Sequence, residues 1–137
     1  MPGENAIPGT LEMPSKTEKF GVGTVGMLLV FAAAVQYNDP DPYAWLVLYL
    51  AAAGVSFAAL WFPDLWKIPA VVAVGAFVWA ATLVPTVVTQ TSFPHPDLFQ
   101  SWEMMSREME EGREFLGLLS VASWTTYLVH RGRKTQQ

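Results

Sequence analysis

Two polar clusters stand at the ends of apolar runs: Asn38, Asp39, Pro40, Asp41 and Pro42, and later Glu110, Glu111, Gly112, Arg113 and Glu114. Carboxylate and amide oxygens are hard ligands, suited to calcium, magnesium or manganese rather than to a softer metal. Asp39, Asp41, Glu110 and Glu114 are therefore the candidate metal ligands, with Glu111 and the Asn38 amide as further oxygen donors. One nearby histidine, His95, is too little nitrogen for a typical zinc centre. His130, beside Arg131 and Gly132, reads as an interfacial residue rather than a haem or pigment ligand. No nucleophile elbow, phosphate loop or Ser-His-Asp arrangement is present, and no catalytic residue is assigned. Cysteine is absent, which removes disulfides, thiolate metal sites and thiol redox chemistry.

The competing reading of the same residues is architectural. Asp41 followed by Pro42 is a helix start: the acid caps and the proline occupies the first helical position. On a helix, Glu110, Arg113, Glu114 and Gly117 share one face. Arg113 is expected to reach Asp39 or Asp41 as a forked ion pair, with Gly117 permitting close approach and Glu110 or Glu114 contacting the Gln36 to Asn38 turn. Gln36 and Asn38 need hydrogen-bond partners wherever they are buried. The expected polar lock is thus Gln36, Asn38, Asp39, Asp41, Glu110, Arg113, Glu114 and Gly117. Trp45 and Tyr49, spaced i and i+4, read as an aromatic belt unless they touch the acidic cluster.

What must position these residues is a set of membrane helices. The 137 residues are 52% hydrophobic and 15% charged, and the charges are absent from 20–36, 42–63 and 68–96. Each stretch can cross a hydrocarbon core about 30 Å thick at about 1.5 Å per residue. A shorter fourth run, Phe115 to Val129, borders Arg113 and Glu114 at one end and His130 at the other. The expected fold is all-α: an integral membrane four-helix bundle with spans at 20–36, 43–62, 68–88 and 113–130. An additional amphipathic helix or helical extension is expected at 97–112. Residues 1–19 read as a flexible tail and 131–137 as a basic tail, flanking a membrane domain over 20–130. A soluble bundle would need more polar residues to face water. Gly54 with Ala58, Gly75 opposite Trp79, and Ala51 to Ala53 are the expected close helix contacts. Pro85 should free the Ala81 carbonyl and bend its helix, with Thr82 or Thr86 available to satisfy it.

Charge suggests the orientation. Lys16, Lys19, Lys67, Arg131, Arg133 and Lys134 gather on the side of the termini, against Arg107 and Arg113 opposite. The positive-inside rule then puts both termini in the cytoplasm and the two polar clusters outside. The first nineteen residues are polar and contain Pro2, Pro8 and Pro14, so the first span is expected to act as its own insertion signal. Between spans three and four, Leu98, Trp102, Met105 and Met109 recur at helical spacing, and Asp97 with Gln100 resembles a capping box after Pro96. That apolar face is a candidate surface for protein partners or for the bilayer interface. An acidic sequence pI of about 5.0 offers no basic stripe for nucleic acid.

At these residues the chain resembles the transmembrane protein 220 family. The resemblance rests on Gln36, Asn38, Asp39, Pro40 and Asp41 after the first helix, Trp45 and Tyr49 in the second, and Glu110 to Glu114 with Gly117 opening a later one. It runs over roughly Phe20 to Tyr127 and implies a small multi-helix membrane protein without supplying an activity, substrate or cofactor. Thr89 to Met109 is longer than expected between helices three and four, and the chain ends soon after helix four where longer members continue, both suggesting adaptation to a partner. The expected role is an accessory or scaffold subunit of a larger membrane complex. The alternative is a small membrane enzyme or divalent-cation-binding protein using the carboxylate cluster.

Overall fold

The computed structural model describes residues 14–89 and 107–137, excepting the side chains of 107–110. Four helices follow in order: α1 (Lys16–Val35), α2 (Pro42–Trp61), α3 (Lys67–Thr89) and α4 (Arg107–Lys134), with a 3-10 turn at Gln36–Asn38 between the first two. Ser15 caps α1, its hydroxyl accepting the Glu18 amide at 3.2 Å, and Glu18 places negative charge in the first turn. Proline occupies the first position of α2, as expected. The cap itself differs from expectation. The Asp41 side chain makes no capping bond; instead Asp39 Oδ1 accepts the Asp41 amide at 3.2 Å, an Asx turn that folds the chain back.

Contacts fix the directions of the helices. Gly26 of α1 lies against Phe57 of α2, and Gly23 faces Leu60, so these two run antiparallel. Gly117 meets Tyr49 and Trp45, Trp124 meets Ser56, and Gly132 meets Pro63, so α4 runs parallel to α2. The packing is most extensive between α1 and α2 and between α3 and α4, and α2 joins the two pairs. An up-down-up-down bundle results. The α1–α2 turn and the start of α4 lie at one end, called here the Asp39 end. The start of α1, the α2–α3 turn and the finish of α4 lie at the other, the Arg131 end.

The core is lined by small and aromatic residues. Trp45, Ala52, Ala76, Ala80, Leu118, Val121 and Ala122 form one buried cluster, and Val22, Val55 and Leu128 a second. Trp45 stacks on Trp79 with centroids 4.8 Å apart. Its ring is only 3% exposed, so it anchors the core and is not the belt residue expected from its position in the sequence. Two polar side chains inside are satisfied. The Ser56 hydroxyl donates to the Ala52 carbonyl at 2.7 Å and accepts the Trp124 indole N–H at 2.8 Å, while Thr125 donates to Val121. A hydroxyl in a dry bundle needs such partners.

Outward-facing residues are just as apolar. Met27, Leu28, Phe31, Val71, Val74 and Val78 are all exposed. Apolar surface on this scale has lipid as its solvent. Residues 16–38, 42–61 and 67–89 each form a helical stretch long and apolar enough to span a membrane. The fold is an all-α membrane four-helix bundle. α4, 28 residues long, is more polar because it carries charge at both ends, and it turns Leu118, Val121, Ala122, Thr125 and Leu128 inward.

Two expected contacts do not form. A Cβ added at Gly54 or Gly75 would meet nothing within 4 Å, and both glycines are exposed. Ala52 and Ala53 are buried, while Ala51 faces out. Close approaches fall at Gly26, Gly117 and Gly132, because helix phase selects which small residues meet a neighbour. α3 is helical through Pro85, and Thr82 donates to the Trp79 carbonyl at 2.6 Å rather than to that of Ala81. Of the amphipathic segment, 97–106 lies outside the described residues. Residues 107–112 open α4 directly.

Candidate functional site

The Asp39 end brings the two polar motifs together through an aromatic residue. Tyr49, one turn beyond Trp45 on α2, stacks on it with centroids 5.8 Å apart. Its hydroxyl sits where a Cβ on Gly117 would come within 2.9 Å. Glycine there lets the phenol lie against the α4 backbone without displacement. The Asp39 carboxylate is near enough to act electrostatically on the same phenol. Gly117 therefore packs directly on Tyr49, which joins the start of α4 to α2.

Around that centre, Gln36 and Asp39 are half-buried while Asn38 and Asp41 are exposed. Gln36 contributes through its backbone, its carbonyl accepting the Asp39 amide at 3.0 Å. Glu111, Arg113 and Glu114 are half-buried on the first turns of α4, and Gly112 is buried among them. Among the described residues, no three of His, Cys, Asp and Glu gather closely enough to hold a metal ion. The side chains of Glu110 and Met109, and all of Leu98, Trp102 and Met105, lie outside the described residues.

The Arg131 end is the more elaborately closed, and sequence reasoning passed over it as a turn and a tail. α4 continues through Lys134, past the boundary expected at residue 130. Gly132 is buried where a Cβ would lie 2.6 Å from the Pro63 carbonyl oxygen and 2.7 Å from Trp66 Cβ. Trp66 is held by its indole N–H, which donates to Gln136 Oε1 at 3.1 Å, and by Arg133, whose guanidinium lies 5.5 Å from the ring centre. Gln136 also donates to the Asp64 carbonyl at 3.2 Å. The α2–α3 turn and the last turn of α4 are thus tied together.

Beside this knot, Arg131 is buried, 7% exposed, and its Nε donates to Glu18 Oε1 of α1 at 2.5 Å. Its Nη1 and Nη2 are buried with no hydrogen-bond partner among the described residues. A crevice of about 250 Å³ opens alongside, bordered by Glu18, Tyr127, His130, Arg131, Lys134 and Thr135. His130 is on its wall and exposed. The one sequence signal for this end was a tryptophan in a Pro-Asp turn matched by a glycine in the last turn of an apolar helix.

No solved structure matches this chain. Residues 28–130 match the family described as Transmembrane family 220, helix, a stretch holding the Gln36–Asp41 turn, Trp45, Tyr49, Gly117 and the helices around them. With most of its length inside that match and its helices arranged as an apolar membrane bundle, the chain belongs to the transmembrane 220 family.

Proposed function

We propose that this small membrane protein serves as an accessory or scaffold subunit of a larger membrane complex, with both termini cytoplasmic and the Asp39 end outside. The observation that supports this reading is the filled bundle centre: Trp45, Ala76, Ala80 and Leu118 close it, while α1 and α3 turn broad apolar faces outward. Large outer surface with little interior suits a helix-packing partner better than a pocket enzyme. The outer polar residues act in this reading as a lock. Asp39 and Asp41 on the turn balance Arg113 across the Tyr49 contact, and Gln36, Asn38, Glu110, Glu114 and Gly117 complete the joint. The segment carrying Leu98, Trp102, Met105 and Met109 supplies a further docking face.

Native mass spectrometry with metal analysis on the detergent-purified protein tests the role. Stoichiometric co-purifying subunits without bound metal are the expected result. A stoichiometric divalent cation that is lost in Asp39→Asn and Asp41→Asn, with no co-purifying subunit, would replace the scaffold reading by cation binding at the carboxylates. Orientation is tested separately by a cysteine introduced at Ser92, which should react only with reagent applied outside. Labelling from the cytoplasmic side alone would reverse the topology.

A further inference from the structure

We propose that the crevice at the Arg131 end binds a phosphate-bearing anion, with Arg131 as the recognising group. A guanidinium offers five N–H donors in a planar fork. In Arg131 one of them is used, by Glu18, and both terminal nitrogens are buried without a partner among the described residues. A buried, charged donor without an acceptor is unfavourable, and phosphate oxygens match the fork geometry.

The surroundings favour an anion over a second carboxylate of the fold. Among the described residues, Glu18 is the one acid on the crevice wall and already accepts the Nε bond, whereas Lys134 and His130 border the same space. Lys67 and Arg133 lie on Trp66, outside the lining of the crevice. The N-terminal turns of α1 and α3 both lie at this end, and helix N-termini favour negative charge. The C-terminus of α4 opposes it, and the basic residues of its last turn, Arg131, Arg133 and Lys134, offset that dipole.

Position points to the headgroup of an anionic phospholipid as one source of the phosphate. Arg131 borders the polar crevice on one side and an apolar groove on the other, where Phe62, Leu65, Ile68, Pro69 and Leu128 gather. Phe62, Leu65 and Ile68 of that groove are exposed. A polar crevice joined through one arginine to an apolar surface matches a molecule with an anionic head and apolar tails. Free phosphate would use the crevice alone.

The test uses the full chain purified in a neutral detergent and titrated with phosphatidylglycerol, phosphatidylcholine or inorganic phosphate. Native mass spectrometry reads retained lipid, and the thermal midpoint reads phosphate. One phosphatidylglycerol per chain is expected, retained about tenfold more tightly than phosphatidylcholine, and weakened about tenfold by Arg131→Gln, the scale of one lost charge-assisted bond. Lys134→Gln and His130→Gln leave the Glu18 pair intact and should each weaken retention severalfold, which keeps the test decisive should Arg131→Gln fold poorly. Arg133→Gln, beside Trp66, should not. Competition by inorganic phosphate would make the free anion the ligand, and its failure to compete would make the lipid so. Equal retention of the two lipids together with no effect of phosphate, or retention unchanged in folded Lys134→Gln and His130→Gln, overturns the proposal.

Discussion

At the Asp39 end a glycine of α4 makes room for a phenol, whereas at the Arg131 end a glycine of the same helix makes room for the backbone of a turn. Tyr49 can move its hydroxyl by a small rotation of the ring. The Pro63 carbonyl and Trp66 Cβ cannot move without shifting the α2–α3 turn, which Gln136 ties to α4 at two points. Glu18 and Arg131 join the first and last helices directly. At the Asp39 end, Tyr49 of α2 packs against Gly117 of α4. Conspicuous charge in the sequence therefore marks the more yielding end, and the tightly built end is assembled from residues scattered between Glu18 and Gln136.

Substitution at the two glycines should separate the ends most strongly. Gly132→Val should lower stability by about 3 kcal/mol or more, because overpacking against fixed backbone stands at the upper part of the usual range. Gly117→Ala should cost about 1 kcal/mol, and Tyr49→Phe in the same chain should recover much of it by removing the hydroxyl. Unfolding in mixed micelles measures both. Equal losses at the two glycines would erase the proposed contrast, and additivity of Gly117→Ala with Tyr49→Phe would show that their contact is not what limits the site.

The ion pair at the Arg131 end comes next and should respond asymmetrically. Glu18→Gln leaves a buried guanidinium without its carboxylate and should cost about 3 kcal/mol, the lower part of the range for breaking a buried pair, since Glu18 is itself 34% exposed. Arg131→Gln leaves a partly exposed carboxylate and should cost about 1 kcal/mol, within the range for accessible pairs. Thermal midpoints in a neutral detergent compare the two, and a larger loss from Arg131→Gln would contradict the burial argument.

The smallest effect belongs to the outer lock. A double-mutant cycle of Arg113→Gln with Asp39→Asn should give a coupling of about 0.5 to 1 kcal/mol, because the groups are half-buried rather than enclosed. Additivity within about 0.3 kcal/mol would remove Arg113 from the lock, leaving Tyr49 and Gly117 as the link between the motifs.

Helix number, approximate helix ends and membrane character were legible because they depend on local composition. Uncharged stretches set the spans, and Asp41 with Pro42 set the start of α2. Even the placement of both polar motifs at one end followed from counting crossings, since each span must return the chain to the other side. Which small residues meet was not legible. Nothing local separates Gly54 and Gly75 from Gly26, but a rotation of 100° per residue decides whether a glycine faces a neighbour or lipid, and apolar helices carry no polar face to set that phase. Trp45 was read as a belt residue for the same reason.

By itself the sequence determined an all-α membrane bundle with a polar turn after the first helix and charge at both ends of the last. Tertiary structure alone decided that Tyr49 packs on Gly117, that Trp66 and Gln136 bind a turn to the end of α4, and that Arg131 is buried against Glu18 across 113 residues of chain. Local patterns report which solvent a segment prefers, and lipid-facing and core-facing positions prefer the same residues here. Pairings between helices depend on their relative rotation and direction, which only the packed bundle sets.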